Sequence, residues 1–260
     1  DLRPDVIARV RKMALLQSEN HPWGAMSDLD LLRSAQLYKK DFQTGKDGFT
    51  LAAILLFGKD ETILSVVPHF RIDAILRRDN IDRYDDRDDI RTNLIESYDR
   101  LLRFGEKHLN DPFYLENDQR ISLRGHILRE VISNILIHRE YANAFPAKFI
   151  IDREKLSTEN SNKPHGHGMI DPAHFTPYPK NPSIARLFRE IGRADELGSG
   201  VRNLFKYCKA YCGHDPQLIE QDIFKFILLL TGEATGEATG EATEQATQQA
   251  TQQATQQVTQ

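Results

Sequence analysis

Glu130 and Asn134 are the residues whose types and spacing best suit chemistry in this chain. They lie four apart in the segment 128–140, where apolar residues recur at helical spacing, so both side chains leave one face of a predicted helix. A carboxylate beside a carboxamide can orient water and hold a divalent ion. An acid at the edge of an apolar surface costs free energy unless it has a partner or a function. The alternative is an ion pair between Glu130 and Arg193 or Arg202.

The sequence Gly198-Ser199-Gly200 is a second candidate, because it opens a predicted amphipathic helix. Backbone amides at a helix N-terminus bind anions, and glycine lets a phosphate approach the backbone closely. The alternative, which an isolated Gly-Ser-Gly favours, is a flexible turn that packs two helices. A P-loop is absent, since the segments 45–47 and 58–60 lack the upstream glycine and the Ser or Thr that follows Lys.

Other groups that could bind metal have simpler explanations. Cys208 and Cys212 lie on one side of an amphipathic segment, which favours reduced core residues over a metal site. His165 and His167 alternate around a glycine and could bind metal, although loop histidines usually bind none. The acidic cluster at 85–91 is interleaved with arginines, which favours a helix start over a cation site.

Three residues are candidates by position alone. His138 lies four residues beyond Asn134 and could approach the same site, or could interact as a cation with the helix dipole. Arg139 and Lys180 are candidate phosphate contacts.

Length and composition limit the class of protein. The chain has 260 residues, enough for two modest domains, and it begins at Asp1, so we expect a piece of a longer protein. The net charge is −4, whereas a self-sufficient nucleic-acid binder is strongly basic. DNA contacts would therefore need a local patch or another domain. No apolar run reaches membrane-spanning length, which predicts no membrane partner and a cytoplasmic location.

Residues 1–107 are predicted to form one α/β unit. A strand is predicted over Thr62–Leu76, where β-branched residues are frequent. Helical spacing predicts helices over 3–13, over 26–35 with Ser27 as N-cap, over 50–57, and after the acidic cluster over 90–102.

Residues 108–230 are predicted to form a second unit, and residues 231–260 a repetitive Thr/Ala/Gln/Glu tail. A long segment at 160–181 is rich in Gly and Pro, which is typical of a lid or a binding loop. The tail is predicted to be a linker or a weakly self-associating stalk. The elements predicted around the long segment are strands within 111–123, the Glu130 helix, a hairpin of 148–152 with 155–159, helices from Pro182 and from about 199, and a strand at 223–230.

The order of these elements resembles the GHKL (Bergerat-type) ATPase fold. The segments 129–141, 180–192 and 196–202 are similar to a subgroup of bacterial transcription regulators often labelled "ATP-dependent DNA helicase, RecG-related". In that subgroup an AlbA-type (Schlafen-like) DNA-binding domain precedes the ATPase-like domain, and the segment 50–59 resembles the sequence that follows it. The resemblance implies an α+β chain, with a small α/β connector followed by a GHKL α/β sandwich and the low-complexity tail.

The resemblance also implies roles for individual residues. Glu130 corresponds to the base that activates water for attack on the γ-phosphate of ATP, and Asn134 to the Mg²⁺ ligand. Gly198-Ser199-Gly200 corresponds to a glycine box whose amides receive phosphates. Asn160 could hydrogen-bond the purine, and Lys180 could contact phosphate.

The chain departs from the wider fold in the segment 159–168. The GHKL fold recognises adenine through the Asp of an Asp-x-Gly-x-Gly box, whereas this segment has no Asp before its glycines. Two hypotheses follow. The chain is a nucleotide-responsive, DNA-linked and oligomeric regulator with at most weak ATPase activity, or it is a non-catalytic dimerisation scaffold. A helicase motor is excluded, because the chain has no Walker lysine and no paired motor domains.

Overall fold

The computed structural model describes residues 1–78, 83–174, 179–195 and 199–230, except for the side chain of Ser199. The helices of these residues are α1 (Pro4–Gln17), α2 (Asp28–Ser34), α3 (Leu51–Phe57), α4 (Asp60–Val66), α5 (Leu94–His108), α6 (Leu123–Ile137), α7 (Pro182–Glu190) and α8 (Ser199–Cys212). The strands are β1 (Tyr38–Lys40), β2 (Asp47–Phe49), β3 (Ile72–Arg77), β4 (Asp86–Ile90), β5 (Leu115–Glu116), β6 (Gln119–Arg120), β7 (Ala147–Asp152), β8 (Lys155–Ser161), β9 (Gly168–Met169), β10 (Gln217–Glu220) and β11 (Ile223–Leu229).

A mixed seven-stranded sheet is the centre of the described fold. Its order is β4-β3-β7-β8-β11-β10-β9. The pair β3–β7 is parallel and the other pairs are antiparallel. Two short hairpins, β1–β2 and β5–β6, lie outside it. The predicted α+β class is therefore confirmed, and so is the hairpin that β7 and β8 form.

The sheet joins strands from both predicted units. β3 and β4 belong to residues 1–107, yet β3 pairs with β7 from the second unit, with Ile72 opposite Ala147. One cluster of buried apolar side chains extends from Val6 to Leu228. The division at residue 107 stays a prediction, and the structure adds that the two units share one sheet and one core.

Helices cover one face of the sheet. α5 packs on β3 and β4, α6 packs on β8, and α8 packs on α6. Side chains of β7 alternate between the faces, as the strand period requires. Phe149 and Ile151 are buried under the helices, whereas Lys148 lies on the other face and donates to Glu159 at 3.0 Å. α6 thus contacts the sheet, α5 and α8, with its apolar arc in the core.

The first and last turns of α6 are held by polar side chains. The Ser122 hydroxyl accepts from the Gly125 amide at 2.8 Å, which satisfies one of the free N–H groups of the first turn. At the other end, Asn181 Nδ2 donates to the carbonyls of Ile137 and Arg139, at 2.8 Å each. α7 begins at Pro182, as predicted, and the side chain of Asn181 before it makes no cap hydrogen bond there.

The strand predicted over Thr62–Leu76 is wrong in its first half. Residues 60–66 form helix α4, and the strand β3 begins only at Ile72. Asp60 and Glu61 lie in the first turn of α4, where they complement the helix dipole. The helix preference of these two acids outweighs the strand preference of the β-branched residues that follow.

The acidic cluster at 85–91 also differs from its prediction. It forms the edge strand β4, and α5 begins three residues later, with Asn93 Oδ1 accepting from the Glu96 amide at 3.0 Å. The cluster binds basic side chains of α5: Asp88 pairs with Arg100, and Asp86 is contacted by two groups near the helix end. Charged residues on an edge strand discourage pairing with other chains.

Three further predictions concern the ends and loops of the chain. The segment 160–181 contains the short strand β9, and residues 175–178 within it lie outside the described residues, so its role as a lid stays a prediction. The tail 231–260 also lies outside them. Within the described ranges, no helix has both the length and the apolar character needed to cross a membrane.

A substitution at Phe149 tests whether the two predicted units unfold together. Phe149 is fully buried in the second unit, so Phe149→Ala should lower the free energy of unfolding by about 3–5 kcal/mol. The single tryptophan, Trp23, is buried in the first unit and reports on it separately. With a shared core, the urea midpoint from Trp23 fluorescence should fall together with the midpoint from circular dichroism. Phe42→Ala, at an exposed position, is the matched control. An unchanged Trp23 transition would show that the units unfold independently.

Candidate functional site

Glu130 and Asn134 lie side by side on α6, as their spacing predicts. Asn134 Nδ2 donates to Glu130 Oε1 at 3.3 Å, and both side chains are partly exposed. The amide nitrogen therefore faces the carboxylate. This leaves the carbonyl oxygen of Asn134, the atom that a hard cation prefers, on the other side of the amide group.

Gly200 in the first turn of α8 contacts the carboxylate of Glu130. A methyl group added to Gly200 would overlap this carboxylate, lying 2.7 Å from Glu130 Cδ and 2.8 Å from Oε2. A side chain at position 200 would displace the carboxylate, which is the flexible end of the Glu130 side chain, so glycine lets the carboxylate and the backbone of α8 stay in contact. Gly198 lies outside the described residues, and for Ser199 only its backbone position at the helix start is described. Two distant segments thus meet at the carboxylate of Glu130.

The surroundings of Glu130 favour its protonated form. Burial is the main cause and the nearby charge of Asp195 the second, and together they raise the pKa of Glu130 to about 7. The hydrogen bond from Asn134 and the charge of Arg129 lower the pKa, but less. Arg129 is already committed to Asp195, with Nη2 2.5 Å from Oδ1. A carboxyl group that titrates near neutrality is a feature of many catalytic sites.

The alternative ion pair of Glu130 is not formed. Arg193 pairs instead with Asp99 and donates to the carbonyl of Ile95 at 2.8 Å, with its guanidinium 4.3 Å from the ring centre of Tyr98. Among the described residues, neither Arg193 nor Arg202 pairs with Glu130. The carboxyl group therefore forms no ion pair with the part of the chain that the structure describes.

His138 continues the face of α6 that bears Glu130 and Asn134. The three residues follow one another at intervals of four, which spans about 12 Å along the helix axis. Burial, with a smaller contribution from the charge of Lys180, lowers the pKa of His138 to about 4. His138 is therefore neutral at pH 7, so it does not act as a cation at the helix C-terminus.

Asn160 is the second-last residue of strand β8 and lies at the His138 end of this face. Its Nδ2 donates to the carbonyl of Ser161 at 3.2 Å and to that of His138 at 3.5 Å. Its Oδ1 is buried and makes no hydrogen bond. An unpaired buried acceptor costs free energy, so this oxygen calls for a donor from water or a ligand.

Lys180 is held by acceptors of the protein. Its ammonium donates to Asn162 Oδ1, to the carbonyl of Lys163 at 2.5 Å and to Glu220 Oε1 at 3.3 Å. Burial lowers the pKa of Lys180, although Glu220 opposes the effect. Lys180 lies near His138, whose pKa it lowers. It is thus close to the face of α6, but its donors are already used.

The prediction that Arg139 contacts phosphate is wrong. Arg139 is 1% exposed and donates to the carbonyls of Arg71 at 2.9 Å and Phe145 at 3.3 Å. Its guanidinium also lies over the rings of Phe70 and Tyr141. It is a structural residue that joins the start of β3 to the loop before β7.

The cysteine prediction is confirmed. Cys208 and Cys212 are buried and free, and Cys212 Sγ donates to the carbonyl of Cys208 at 3.2 Å. The described part of the chain contains no group of three or more His, Cys, Asp or Glu side chains that could hold a metal ion. His165 and His167 belong to this part.

Sequence patterns did not indicate the residues after α7 that support the site. Asp195 binds Arg129 and also accepts from Asn203 Nδ2 at 3.1 Å, which ties the middle of α6 to α8. Ser133 Oγ, on the buried side of α6, donates to the carbonyl of Arg193 at 2.6 Å. The contacts of Arg129 with Asp195 and of Ser133 with Arg193 link segments 60 or more residues apart, which periodicity cannot reveal.

Comparisons with known proteins give a similar fold and no function. A family model described as a domain of unknown function (DUF8451) matches residues 1–73. No curated protein matches the chain. The fold is similar to the crystal structure of the DIP2311 protein from Corynebacterium diphtheriae, with a TM-score of 0.62 and 20% sequence identity. The match covers 88% of this chain and 45% of that one, so the chain spans less than half of that protein. At this identity the likeness supports the fold alone.

The stability of a Glu130→Gln variant should depend on pH differently from that of the unmodified protein. Folding raises the pKa of Glu130 from 4.5 to about 7, so the folded state keeps a proton that the unfolded state releases. The contribution of Glu130 to stability therefore falls as the pH rises from about 4.5 to 7. Glutamine cannot lose this proton. Relative to the unmodified protein, Glu130→Gln should gain at most about 3 kcal/mol between pH 5 and pH 8.

Urea denaturation at both pH values measures this difference. Glu61→Gln, at an exposed position on α4, is the control and should follow the unmodified protein. Parallel pH dependence of Glu130→Gln and the unmodified protein would contradict the raised pKa.

Proposed function

We propose that this chain is part of a nucleotide-responsive bacterial transcription regulator that binds ATP and Mg²⁺ along the Glu130 face of α6. The contact between Glu130 and Gly200 carries the proposal, because it brings the acid–amide pair and the start of α8 to one place. In the GHKL arrangement that the sequence resembles, the acid–amide pair and the glycine box lie together. The contact between Glu130 and Gly200 supports such an arrangement here.

The phosphates would bind at the start of α8. α8 has 14 residues, and its N-terminal amides with the positive end of its dipole favour an anion. Gly200 allows close approach of the backbone, and Gly198 with Ser199 would add amides from residues next to it. The carboxylate of Glu130 now lies at this position, so it would have to move aside when a phosphate enters.

Asn134 would hold the Mg²⁺ ion through its carbonyl oxygen. The residues present fit such an ion, since this oxygen faces away from Glu130 and carboxamide oxygens are normal Mg²⁺ ligands. A bound Mg²⁺ would neutralise phosphate charge and orient the phosphates. Glu130, with a pKa of about 7, would accept a proton from water at its carboxylate.

The purine would lie at the far end of the face. Asn160 is 1% exposed, and its Oδ1 is a buried acceptor without a hydrogen bond, so it would accept from the amino group of adenine after the residues that cover it move. Neutral His138 lies between this oxygen and Asn134, where it adds no repelling or attracting charge. The wider fold binds adenine through a carboxylate, whereas Asn160 offers an amide. We therefore expect weak binding of ATP and weak ATP hydrolysis.

DNA contacts would be made by modules outside this chain. The chain carries a net charge of −4, which does not suit a duplex-binding surface of its own. We infer a cytoplasmic homo-oligomer in which nucleotide binding changes the position of these modules. The segment 160–181 would transmit this change as a lid, because it begins at Asn160 and ends beside Lys180.

The second candidate function is a non-catalytic dimerisation scaffold. Its support is that Lys180 already satisfies its donors within the protein and that Glu130 fills the position against α8. The two functions differ in whether nucleotide binds at all.

Binding of Mg-ATP distinguishes the two functions. At a concentration of Mg-ATP one hundred times its Kd, the melting temperature should rise by about 5–10 °C. Asn134→Ala should reduce the rise and its dependence on Mg²⁺, because it removes the proposed ligand. Glu130→Gln should abolish ATP hydrolysis and leave the rise in place, since it removes the base but keeps the shape of the side chain.

Asn110→Ala, at an exposed position on another segment, is the matched control and should behave as the unmodified protein. The absence of any melting shift at millimolar Mg-ATP would reject the nucleotide proposal and favour the scaffold.

A further inference from the structure

A cavity of about 220 Å³ lies where β3 begins and β4 ends, away from the residues of the proposed nucleotide site. It is smaller than the roughly 300–1,000 Å³ of pockets that enclose drug-sized ligands, so it suits a small ion rather than a nucleotide. Its walls come from the start of β3, the residue after β4 and the loop before β7. The lining residues are Pro68, His69, Arg71, Arg91, Ala144 and Pro146.

Positive charge is in excess around this cavity. Arg71 and Arg91 share the carboxylate of Asp89, each at 3.3 Å. Arg71 also pairs with Asp73 at 2.6 Å, and Asp73 in turn binds Arg87 at 2.7 Å. Arg87 does not line the cavity, but in this network of described residues three guanidinium groups share two carboxylates, which leaves one positive charge in excess.

The two lining arginines retain capacity to donate. Arg91 donates to both carboxylate oxygens of Asp89 at 3.3 Å, contacts that are longer than the roughly 2.7–2.9 Å of charge-assisted hydrogen bonds. Nε of Arg71 is buried and lies 3.3 Å from Asp89 Oδ1, but without the geometry of a hydrogen bond. A better-placed acceptor would satisfy this donor. The side chain of Arg91 is 47% exposed, so its guanidinium can turn toward the cavity without disturbing the core.

His69 fixes the wall opposite these groups. One ring nitrogen, Nε2, lies 3.0 Å from the carbonyl of Tyr141. Because a carbonyl only accepts, Nε2 carries the proton in this hydrogen bond. The ring is therefore held between the start of β3 and the loop that follows α6, and the cavity keeps its shape without a ligand.

We propose that this cavity binds a terminal phosphate group, as inorganic phosphate or as the end of a phosphate monoester. Arginine pairs recognise such groups by parallel hydrogen bonds from planar guanidiniums. The ligand would accept from Arg71 and Arg91 and compete with Asp89 for both. The cavity has no room for the sugar and base of a nucleotide, which therefore stay outside.

Calorimetric titration with inorganic phosphate, at constant ionic strength, tests the proposal. The unmodified protein should bind saturably, and Arg91→Gln should weaken binding about tenfold or more, the loss expected for one charge-assisted hydrogen bond. Arg33→Gln is the matched control, because Arg33 is a similarly exposed arginine paired with Asp30 on α2. Its affinity should equal that of the unmodified protein.

Two further arms separate this site from other sources of phosphate binding. Gly200→Ala should leave phosphate binding unchanged, which shows that the ion is not held at the start of α8. A short DNA duplex should not reproduce the Arg91-dependent signal, because its phosphates are diesters within a strand. Unsaturable heat with inorganic phosphate, equal affinity of Arg91→Gln and the unmodified protein, or an Arg91-dependent response to DNA alone would each overturn the proposal.

Discussion

The close approach of α8 to α6 at Gly200 is the constraint on which the candidate site depends. The absence of a side chain at Gly200 lets the carboxylate of Glu130 touch the backbone of the first turn of α8. The Glu130 side chain stays partly exposed, and burial of its carboxyl group together with the nearby charge of Asp195 raises its pKa to about 7. A larger residue at 200 would push the carboxylate out of this position.

The rest of the fold keeps α6 in the position that this contact requires. Ser122 caps its first turn, and Asn181 binds the last carbonyls from the start of α7. The apolar arc of α6 is buried against a sheet that includes β3 from the first predicted unit. A change in the N-terminal half of the chain can therefore reach the Glu130 face through packed side chains rather than through a flexible linker.

Local patterns predicted the helices and the hairpin well, because their signals lie within a few residues. Ser27, the apolar run at 50–57 and the apolar arc of α6 are examples of signals that were sufficient. Long-range relations were not accessible. The parallel pairing of β3 with β7 and the role of Asn181 at the end of α6 depend on tertiary packing.

The strand predicted over 62–66 was wrong because its β-branched residues suit a strand, whereas the acids before it favour a helix. For the site, spacing predicted the Glu130–Asn134 pair, but only the fold shows that Arg139 is buried and that Lys180 is already paired.

The most direct test of the account is the backbone amide signal of Gly200 in ¹⁵N nuclear magnetic resonance, followed during titration with a non-hydrolysable ATP analogue and Mg²⁺. With phosphates bound at the start of α8, the Gly200 signal and the side-chain amide signal of Asn134 should move together and saturate, both changes should need Mg²⁺, and the signal of Gly48, in an open hairpin, should stay in place. Saturable changes elsewhere with none at Gly200, or no saturable change at all, would contradict a phosphate site between α6 and α8.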